Sequence, residues 1–304
     1  MIEAEHEGLR LPREGAGEGH SDAVTFAFGE GEAELFGLAR IGLQPREGSA
    51  AAASALALLF SAGEVVTALA EGDVEVAEPS WADVAVDGLR METTEPLRAW
   101  RVALDAAGGG FDLRFAAASP PIELGGEDPA ARLGGMNGYE QLCRVEGTVT
   151  AEGEARPIAC LGQRGHGWGG PDWSELELAR TVTAWWDESH ALTLSAVRPA
   201  GAREHDEEAL SAFLVDATEA EGEAAVVRVA EPRLSTTYDA QGRQRRAGLE
   251  LWVAEEDELP RRAAGQVACG TSLELGRLRL DCAFFDWRME GRVGVGRYDI
   301  LRRA

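Results

Sequence analysis

The stretch GYEQLCRVEGTVTAEGEARPIACLGQRGHGWGGPDW, residues 138–173, carries the clearest fold signal in the sequence. It contains two strand-like runs, YEQLCRVEGTVT at 139–150 and ARPIACLG at 155–162, which flank the turn-forming tetrapeptide AEGE at 151–154. Strand-forming runs on either side of a glycine-containing turn are typical of a β-hairpin. We therefore predict two antiparallel strands that are joined at 151–154.

The segment that follows this hairpin is rich in glycine and tryptophan. In CLGQRGHGWGGPDW, residues 160–173, glycines separate His166, Trp168 and Trp173. Glycine adopts left-handed and closely packed backbone conformations that residues with a Cβ resist. We therefore expect a tight bulge that brings these three side chains together at a domain junction.

A period of two dominates the rest of the chain. In GFDLRFAAAS, residues 110–119, Phe and Leu alternate with Asp and Arg. Such alternation predicts half-buried antiparallel strands, and turn-forming clusters recur between them at short intervals. The run AAASALALLF at 51–60 is interpreted as a strand, whereas EHDEEALSAFL at 204–214 favours one short helical turn. The sequence predicts an all-β protein built from sandwiches or barrels.

The length of 304 residues allows about two ordinary domains. The Pro- and Gly-rich stretch at 119–138 predicts a long loop or linker, and its closing Asn137–Gly138 pair predicts a tight turn. We predict an N-terminal β domain over residues 1–170 and a C-terminal β-barrel domain over residues 171–304.

Charge and composition exclude several classes of function. A net charge of −24 opposes binding to nucleic acid or to anionic membranes, both of which require a basic face. No apolar run is long enough to span a membrane, and the acidic N-terminus lacks the apolar core of a signal peptide. We expect a cytoplasmic protein; the sequence does not indicate its oligomeric state.

Metal and thiol chemistry are not expected. The four cysteines show no CxxC spacing and lie in apolar runs, so we interpret them as buried thiols. No histidine lies at ligand spacing from them, so we predict no metal and no cofactor. His6 and His20 fall in an N-terminal arm that we expect to be mobile.

Residues 138–173, followed by LTLSAVR at 192–198, resemble the central signature of the AttH-like and carotenoid 1,2-hydratase (hydroxyneurosporene synthase) superfamily. That signature comprises an aromatic-rich strand, a glycine-bearing hairpin, a His-x-Trp-Gly element, a Trp-containing segment and a strand that ends in Arg. The resemblance implies two lipocalin-like β domains packed side by side, with an apolar cavity at or between them. It also implies a cofactor-independent activity like that of the hydratases, cyclases or pericyclases in this superfamily, which act on isoprenoid or polyketide chains. Some members have no known activity.

The resemblance also implies which residues act. Carotenoid hydratases carry a His-x-Trp pair and a later Tyr-x-Asp pair, and His166 with Trp168 matches the first of these. The best match to the second is the Trp185-x-Asp187 element, in which Trp stands in place of Tyr. The sequence departs from the family where Gly165 stands immediately before the histidine, a position that is acidic in many relatives.

Hydration or cyclisation of an alkene begins with delivery of a proton, which requires an acid that stays protonated at neutral pH. Apolar surroundings raise the pKa of a carboxyl group. We expect Asp187 to be this acid, with His166 orienting it or accepting a proton from the product and Glu140 as a second acid candidate. Aromatic faces stabilise carbocations. The expected substrate-binding residues are Tyr139, Trp168, Trp173 and Trp185.

Three functions of different classes remain open. The first is a hydratase (a lyase), cyclase or isomerase that acts on a lipophilic isoprenoid or polyketide-like molecule. The second is a non-catalytic, lipocalin-like carrier of an apolar small molecule; an interaction module whose cavity has closed is a third. An enzyme needs a carboxyl group that faces its apolar cavity, whereas a carrier needs a cavity without a buried acid.

Overall fold

A computed structural model of the chain describes residues 2–10, 19–46, 50–203, 207–217 and 224–304. Within these residues the structure is almost entirely β-sheet, which confirms the predicted fold class. No helix in this part of the chain is long and apolar enough to cross a membrane.

The chain divides into two compact units. The first comprises Met1–Gly125 and Gly135–Pro171, and the second comprises Gly126–Gly134 and Asp172–Ala304. The short segment around residue 130 therefore belongs to the second unit although residues of the first unit flank it on both sides.

The first unit is a single antiparallel sheet, preceded by a 3₁₀ turn at Ala4–Glu7. Its strands are β1 (Ser21–Glu30), β2 (Leu35–Pro45), β3 (Ala51–Ser61), β4 (Glu64–Val76), β5 (Asp83–Val86), β6 (Leu89–Glu95), β7 (Ala99–Leu104), β8 (Gly109–Ala117), β9 (Ile122–Leu124), β10 (Met136–Ala151) and β11 (Glu154–Gly169). They are ordered β4-β3-β2-β1-β11-β10-β8-β7-β6-β5, with β9 paired to β10. Because strands twist, the sheet curls, and β3 approaches β5.

The predicted hairpin, with strands at 139–150 and 155–162 joined at 151–154, is confirmed as the β10–β11 pair, in which Ala151 lies opposite Glu154. Glu152 and Gly153 have φ angles of 54° and 81°, the left-handed values that a two-residue hairpin turn requires. On its other edge β11 pairs with β1, so the hairpin lies at the centre of the sheet.

The inside of the first sheet holds an apolar core. The Phe26 ring lies 4.8 Å from that of Phe115 and 6.3 Å from that of Trp100, in tilted contacts. Burying one such side chain stabilises the fold by about 1.5–3 kcal/mol.

The second unit is also a curled antiparallel sheet. Its elements are α1 (Pro129–Gly134), β12 (Leu176–Asp187), β13 (His190–Pro199), β14 (Ala209–Ala217), β15 (Ala224–Arg228), β16 (Glu231–Tyr238), β17 (Gln244–Trp252), β18 (Arg261–Leu275), β19 (Leu278–Met289) and β20 (Arg292–Arg303). The order is β15-β14-β13-β12-β20-β19-β18-β17-β16, and α1 packs on β13 and β14. Leu192, Leu249, Phe285, Trp287 and Tyr298 belong to its core.

Three local predictions need correction. The helical turn expected at 204–214 is wrong over 209–214, which belong to β14, while 204–206 lie outside the described residues. Asn137–Gly138 does not form a turn but lies inside β10. The predicted linker at 119–138 contains β9 and α1 as well as loop. The strand expected at 51–60 is confirmed as β3.

Candidate active site

The inward face of β11 carries Arg164, His166 and Trp168, because alternate residues of a strand point to the same side. His166 lies opposite Val24 of β1 and opposite Tyr139 of β10. Val24 belongs to the apolar core of the first unit. The imidazole of His166 therefore points into the interior of this unit.

A buried carboxylate holds His166. The Nε2 atom of His166 lies 2.7 Å from Oδ1 of Asp22, and neither side chain is exposed to solvent. The other oxygen of Asp22 accepts hydrogen bonds from the backbone N–H of Arg10, at 2.6 Å, and from Nε1–H of Trp81, at 3.1 Å. Because a carboxylate only accepts hydrogen bonds, Nε2 carries the imidazole proton and Nδ1 keeps its lone pair.

Aromatic rings enclose the imidazole. The ring centroids of Trp81, Tyr139 and Trp168 lie 5.7 Å, 5.5 Å and 5.4 Å from that of His166, each in edge-to-face geometry. The hydroxyl of Tyr139 lies 3.4 Å from Nδ1 and donates a long hydrogen bond to it. Burial raises the pKa of Tyr139 to about 12, so this hydroxyl keeps its proton at neutral pH.

The charge state of His166 follows from its surroundings. Burial lowers the pKa of His166, and the nearby positive charge of Arg164 lowers it further, although the hydrogen bond to Asp22 acts in the opposite direction. The imidazole is therefore neutral at neutral pH. A neutral, oriented imidazole whose Nδ1 carries no proton is the usual form of a general base.

The lowered pKa of His166 predicts that acid destabilises the fold. In the unfolded chain histidine titrates near a pKa of about 6.5, so below that pH the unfolded chain binds a proton that the folded chain does not. We expect the free energy of unfolding to fall as the pH decreases from about 7 to about 5. Denaturant titrations at several pH values in this range measure that free energy. Its decrease per pH unit should be smaller in His166→Gln than in the wild type; an equal decrease would contradict a neutral His166.

A second buried ion pair lies on the same face of β11. Nη2 of Arg164 donates to the carboxylate of Glu7 at 2.6 Å, with side-chain exposures of 1% and 7%. The other oxygen of Glu7 accepts from the backbone N–H of Leu97 at 2.9 Å. The guanidinium of Arg164 lies 4.7 Å from the ring centroid of Tyr139 and 5.1 Å from that of Trp100, within the range of cation–π contacts.

The N-terminal arm that the sequence led us to expect to be mobile contributes side chains to this site. Glu7 is buried, and the guanidinium of Arg10 lies 4.9 Å from the ring centroid of Trp168. The His20 imidazole contacts the carbonyl oxygen of Arg10 at 3.0 Å. The N-terminal segment thus supplies both a carboxylate and a guanidinium to the region around His166.

A protein-family model described as "Domain of unknown function (DUF7064)" matches residues 3–304. The chain belongs to this family. No curated protein matches the sequence.

Solved structures place this DUF7064 chain in a known fold. An AttH-like protein from Nitrosomonas europaea is 13% identical, with a TM-score of 0.66 and 97% of each chain covered. Kievitone hydratase from Nectria haematococca is 13% identical, with a TM-score of 0.62 over 93% of this chain and 89% of that one. CghA, solved with Sch210972, is 12% identical, with a TM-score of 0.63 over 94% and 89%. The predicted likeness to AttH-like proteins of double lipocalin-like fold is confirmed at the level of the fold.

The structure brings together only some of the predicted site residues of this DUF7064 chain. Trp168 and Tyr139 contact His166, as described above. Glu140 is buried but follows Tyr139 in the strand, so it points to the opposite face of β10. Trp173 packs with Leu176 in the second unit, to which Trp185 also belongs.

Asp187 does not meet the requirement for a general acid. Partial burial would raise its pKa, but hydrogen bonds from His190 and Ser189 and the charge of Arg292 outweigh burial and hold the pKa of Asp187 below its usual range. Nδ1 of His190 lies 2.7 Å from Oδ1 of Asp187, and the side chain of Asp187 is 47% exposed. The carboxyl group of Asp187 is therefore ionised at neutral pH, and the carboxylate that contacts His166 is Asp22.

The tight bulge expected from the glycines of residues 160–173 does not form before Gly169, because β11 continues as a strand up to that residue. A Cβ on Gly165 or Gly167 would meet its nearest atoms at 3.7 Å and 3.6 Å, which are ordinary contacts. Gly169 differs from both. Its φ angle is 151°, and a Cβ at this residue would lie 2.2 Å from the carbonyl oxygen of Gly135.

These distances predict unequal effects of two alanine substitutions. Gly169→Ala should lower the free energy of unfolding by about 1–3 kcal/mol, since it adds both backbone strain and a clash with backbone. Gly167→Ala is the matched control and should change it by less than about 0.5 kcal/mol. Chemical denaturation followed by tryptophan fluorescence compares them, and equal losses would contradict this interpretation.

The described residues contain no group of three or more His, Cys, Asp or Glu side chains placed to hold a metal ion. The four cysteines are free thiols, of which Cys143, Cys269 and Cys282 are buried. Burial raises the pKa of Cys143 to about 12, so this thiol is not a nucleophile at neutral pH.

Proposed function

We propose that this chain is a cofactor-independent enzyme that transfers protons on a lipophilic, isoprenoid or polyketide-like substrate, with His166 as the general base. The observation that carries the proposal is the buried pair of His166 and Asp22, which leaves Nδ1 of His166 unprotonated among aromatic side chains. The reaction is a hydration, an isomerisation or a cyclisation.

The geometry favours a reaction in which proton removal by the base is the first step. In a hydration, Nδ1 of His166 takes a proton from water while the water oxygen bonds to one carbon of an electron-poor double bond. The imidazolium then returns the proton to the neighbouring carbon, so that one water has been added. In an isomerisation, the proton is taken from one carbon and returned to another. Asp22 stabilises the positive charge that His166 carries between the two steps.

The sequence led us to expect protonation of an unactivated alkene, but this reaction fits the groups around His166 less well. It requires a strong acid, but His166 is neutral and the pKa of Tyr139 is raised to about 12. The name of kievitone hydratase, a protein of the same fold, supports hydration as one of the reactions considered.

The alternative of a non-catalytic carrier is less well supported. A carrier needs an apolar lining, whereas the interior of the first unit contains the buried carboxylates of Glu7 and Asp22 beside its apolar core. Charged groups buried without a function usually destabilise a protein relative to apolar ones.

The test is incubation in D₂O with a panel of polyenes and conjugated ketones, followed by mass spectrometry of the recovered compounds. We expect the wild-type chain to add D₂O or to incorporate deuterium into at least one compound. His166→Gln should abolish this change, while His190→Gln, in the second unit, should retain it. Binding without deuterium incorporation would favour the carrier, and equal incorporation by wild type and His166→Gln would contradict the role of His166.

A further inference from the structure

Arg164 has hydrogen-bond donors that no described residue uses. Its side chain is 1% exposed, and its Nη2 donates to Glu7. Its Nε and Nη1 atoms are buried and have no acceptor among the described residues. Buried donors without an acceptor are unfavourable, so a native protein that retains them usually supplies their acceptor from a water or a ligand.

Arg10 repeats this pattern near His166. Its Nε and Nη2 atoms are also buried and lack an acceptor within the described part of the chain. Its guanidinium lies over Trp168, as that of Arg164 lies over Tyr139. Both of these rings contact His166, so two guanidinium groups with unused donors lie over the aromatic rings beside the proposed base.

The formal charges of this cluster suit a substrate that becomes negative during the reaction. Two carboxylates, Glu7 and Asp22, balance two guanidinium groups, Arg10 and Arg164, while His166 is neutral. When His166 takes a proton, the cluster gains one positive charge. An enolate formed at the same moment carries one negative charge, which restores neutrality in a buried site where unbalanced charge is costly.

We propose that Arg164, assisted by Arg10, binds a carbonyl oxygen of the substrate, so that the substrate is an alkene conjugated to a carbonyl group and not a hydrocarbon polyene. This inference rests on the proposed function of His166. As the water oxygen bonds to the β-carbon, the electron pair of the double bond moves toward the carbonyl to form an enolate, whose oxygen accepts from Arg164. Return of the proton from His166 to the α-carbon restores the carbonyl.

Chalcone and trans-stilbene form a suitable pair of probes, since both carry two phenyl rings on a double bond and only chalcone has a ketone. Equilibrium dialysis should show that the wild-type chain binds chalcone about tenfold more tightly than trans-stilbene, because a hydrogen bond from a charged donor distinguishes them. Arg164→Lys, which keeps the charge but loses the guanidinium donors, should bring the two affinities within about twofold of each other.

Arg10→Lys is a second variant, useful if Arg164→Lys fails to fold, and should reduce the preference in part. Arg101→Lys, which changes an arginine paired with Asp112 at the surface, is the matched control and should keep the preference. Absence of a preference for chalcone in the wild type, or its persistence in both site variants, would overturn the inference. The deuterium experiment tests the proposed function separately. If only the polyenes of that panel reacted, His166 would remain the proposed base, but the substrate would not need a carbonyl group.

Discussion

Replacing Asp22 with Asn should lower the rate of proton transfer by about 10³–10⁴-fold, with the fold retained. Asp22 accepts from His166 with one oxygen and from Arg10 and Trp81 with the other. Asn has only one acceptor oxygen. If that oxygen serves Arg10 and Trp81, its NH₂ group faces His166 and forces the proton onto Nδ1, the atom that must act as the base.

The measurement is the initial rate of deuterium incorporation with the best compound of the panel, for wild type and Asp22→Asn. Asp83→Asn is the matched control, because Asp83 lies in the same unit and pairs with Arg90 at the surface. It should retain the wild-type rate. A wild-type rate in Asp22→Asn would show that the tautomer of His166 does not control the reaction.

Replacing Glu7 with Ala should destabilise the first unit by about 3–5 kcal/mol, because breaking a buried ion pair leaves the remaining charge uncompensated. Arg164 would lose the only carboxylate with which it forms an ion pair among the described residues. The backbone N–H of Leu97 would also lose its acceptor. The effect is large for a residue so near the N-terminus, where substitutions are usually tolerated.

Chemical denaturation monitored by tryptophan fluorescence tests this prediction. Asp112→Ala is the control, since it removes the carboxylate of an ion pair in which both side chains are more than half exposed, and such pairs contribute little. A loss in Glu7→Ala no greater than in Asp112→Ala would contradict a structural role for the N-terminal segment.

Local patterns in the sequence predict the fold well, because alternation and turn chemistry act over a few residues. The hairpin of strands 139–150 and 155–162 follows from its AEGE turn, and the strand at 51–60 from the turn-forming SAGE at 61–64 that comes directly after it. Asn137–Gly138 shows the limit of such rules. Its turn propensity is outweighed by pairing along β10, where Gly138 lies opposite Gly167 and a Cβ would lie 2.5 Å from the carbonyl oxygen of His166.

The candidate site is only partly predictable. His166 and Trp168 share a strand face, and the same alternation could have identified Arg164 two residues earlier. The partners of these residues lie far away in sequence: Asp22 is 144 residues from His166, and Glu7 is 157 residues from Arg164. Only the register of β1 on β11 and the path of the N-terminal segment bring them together, and no local pattern specifies either.

The protonation state of His166 is the most direct test of this account. In ¹⁵N NMR spectra of histidine-labelled protein at neutral pH, the signals of His166 are assigned by their loss in His166→Gln. The account predicts a neutral ring with the proton on Nε2 and none on Nδ1. A proton on Nδ1, or a fully protonated ring, would contradict the assignment of His166 as the general base.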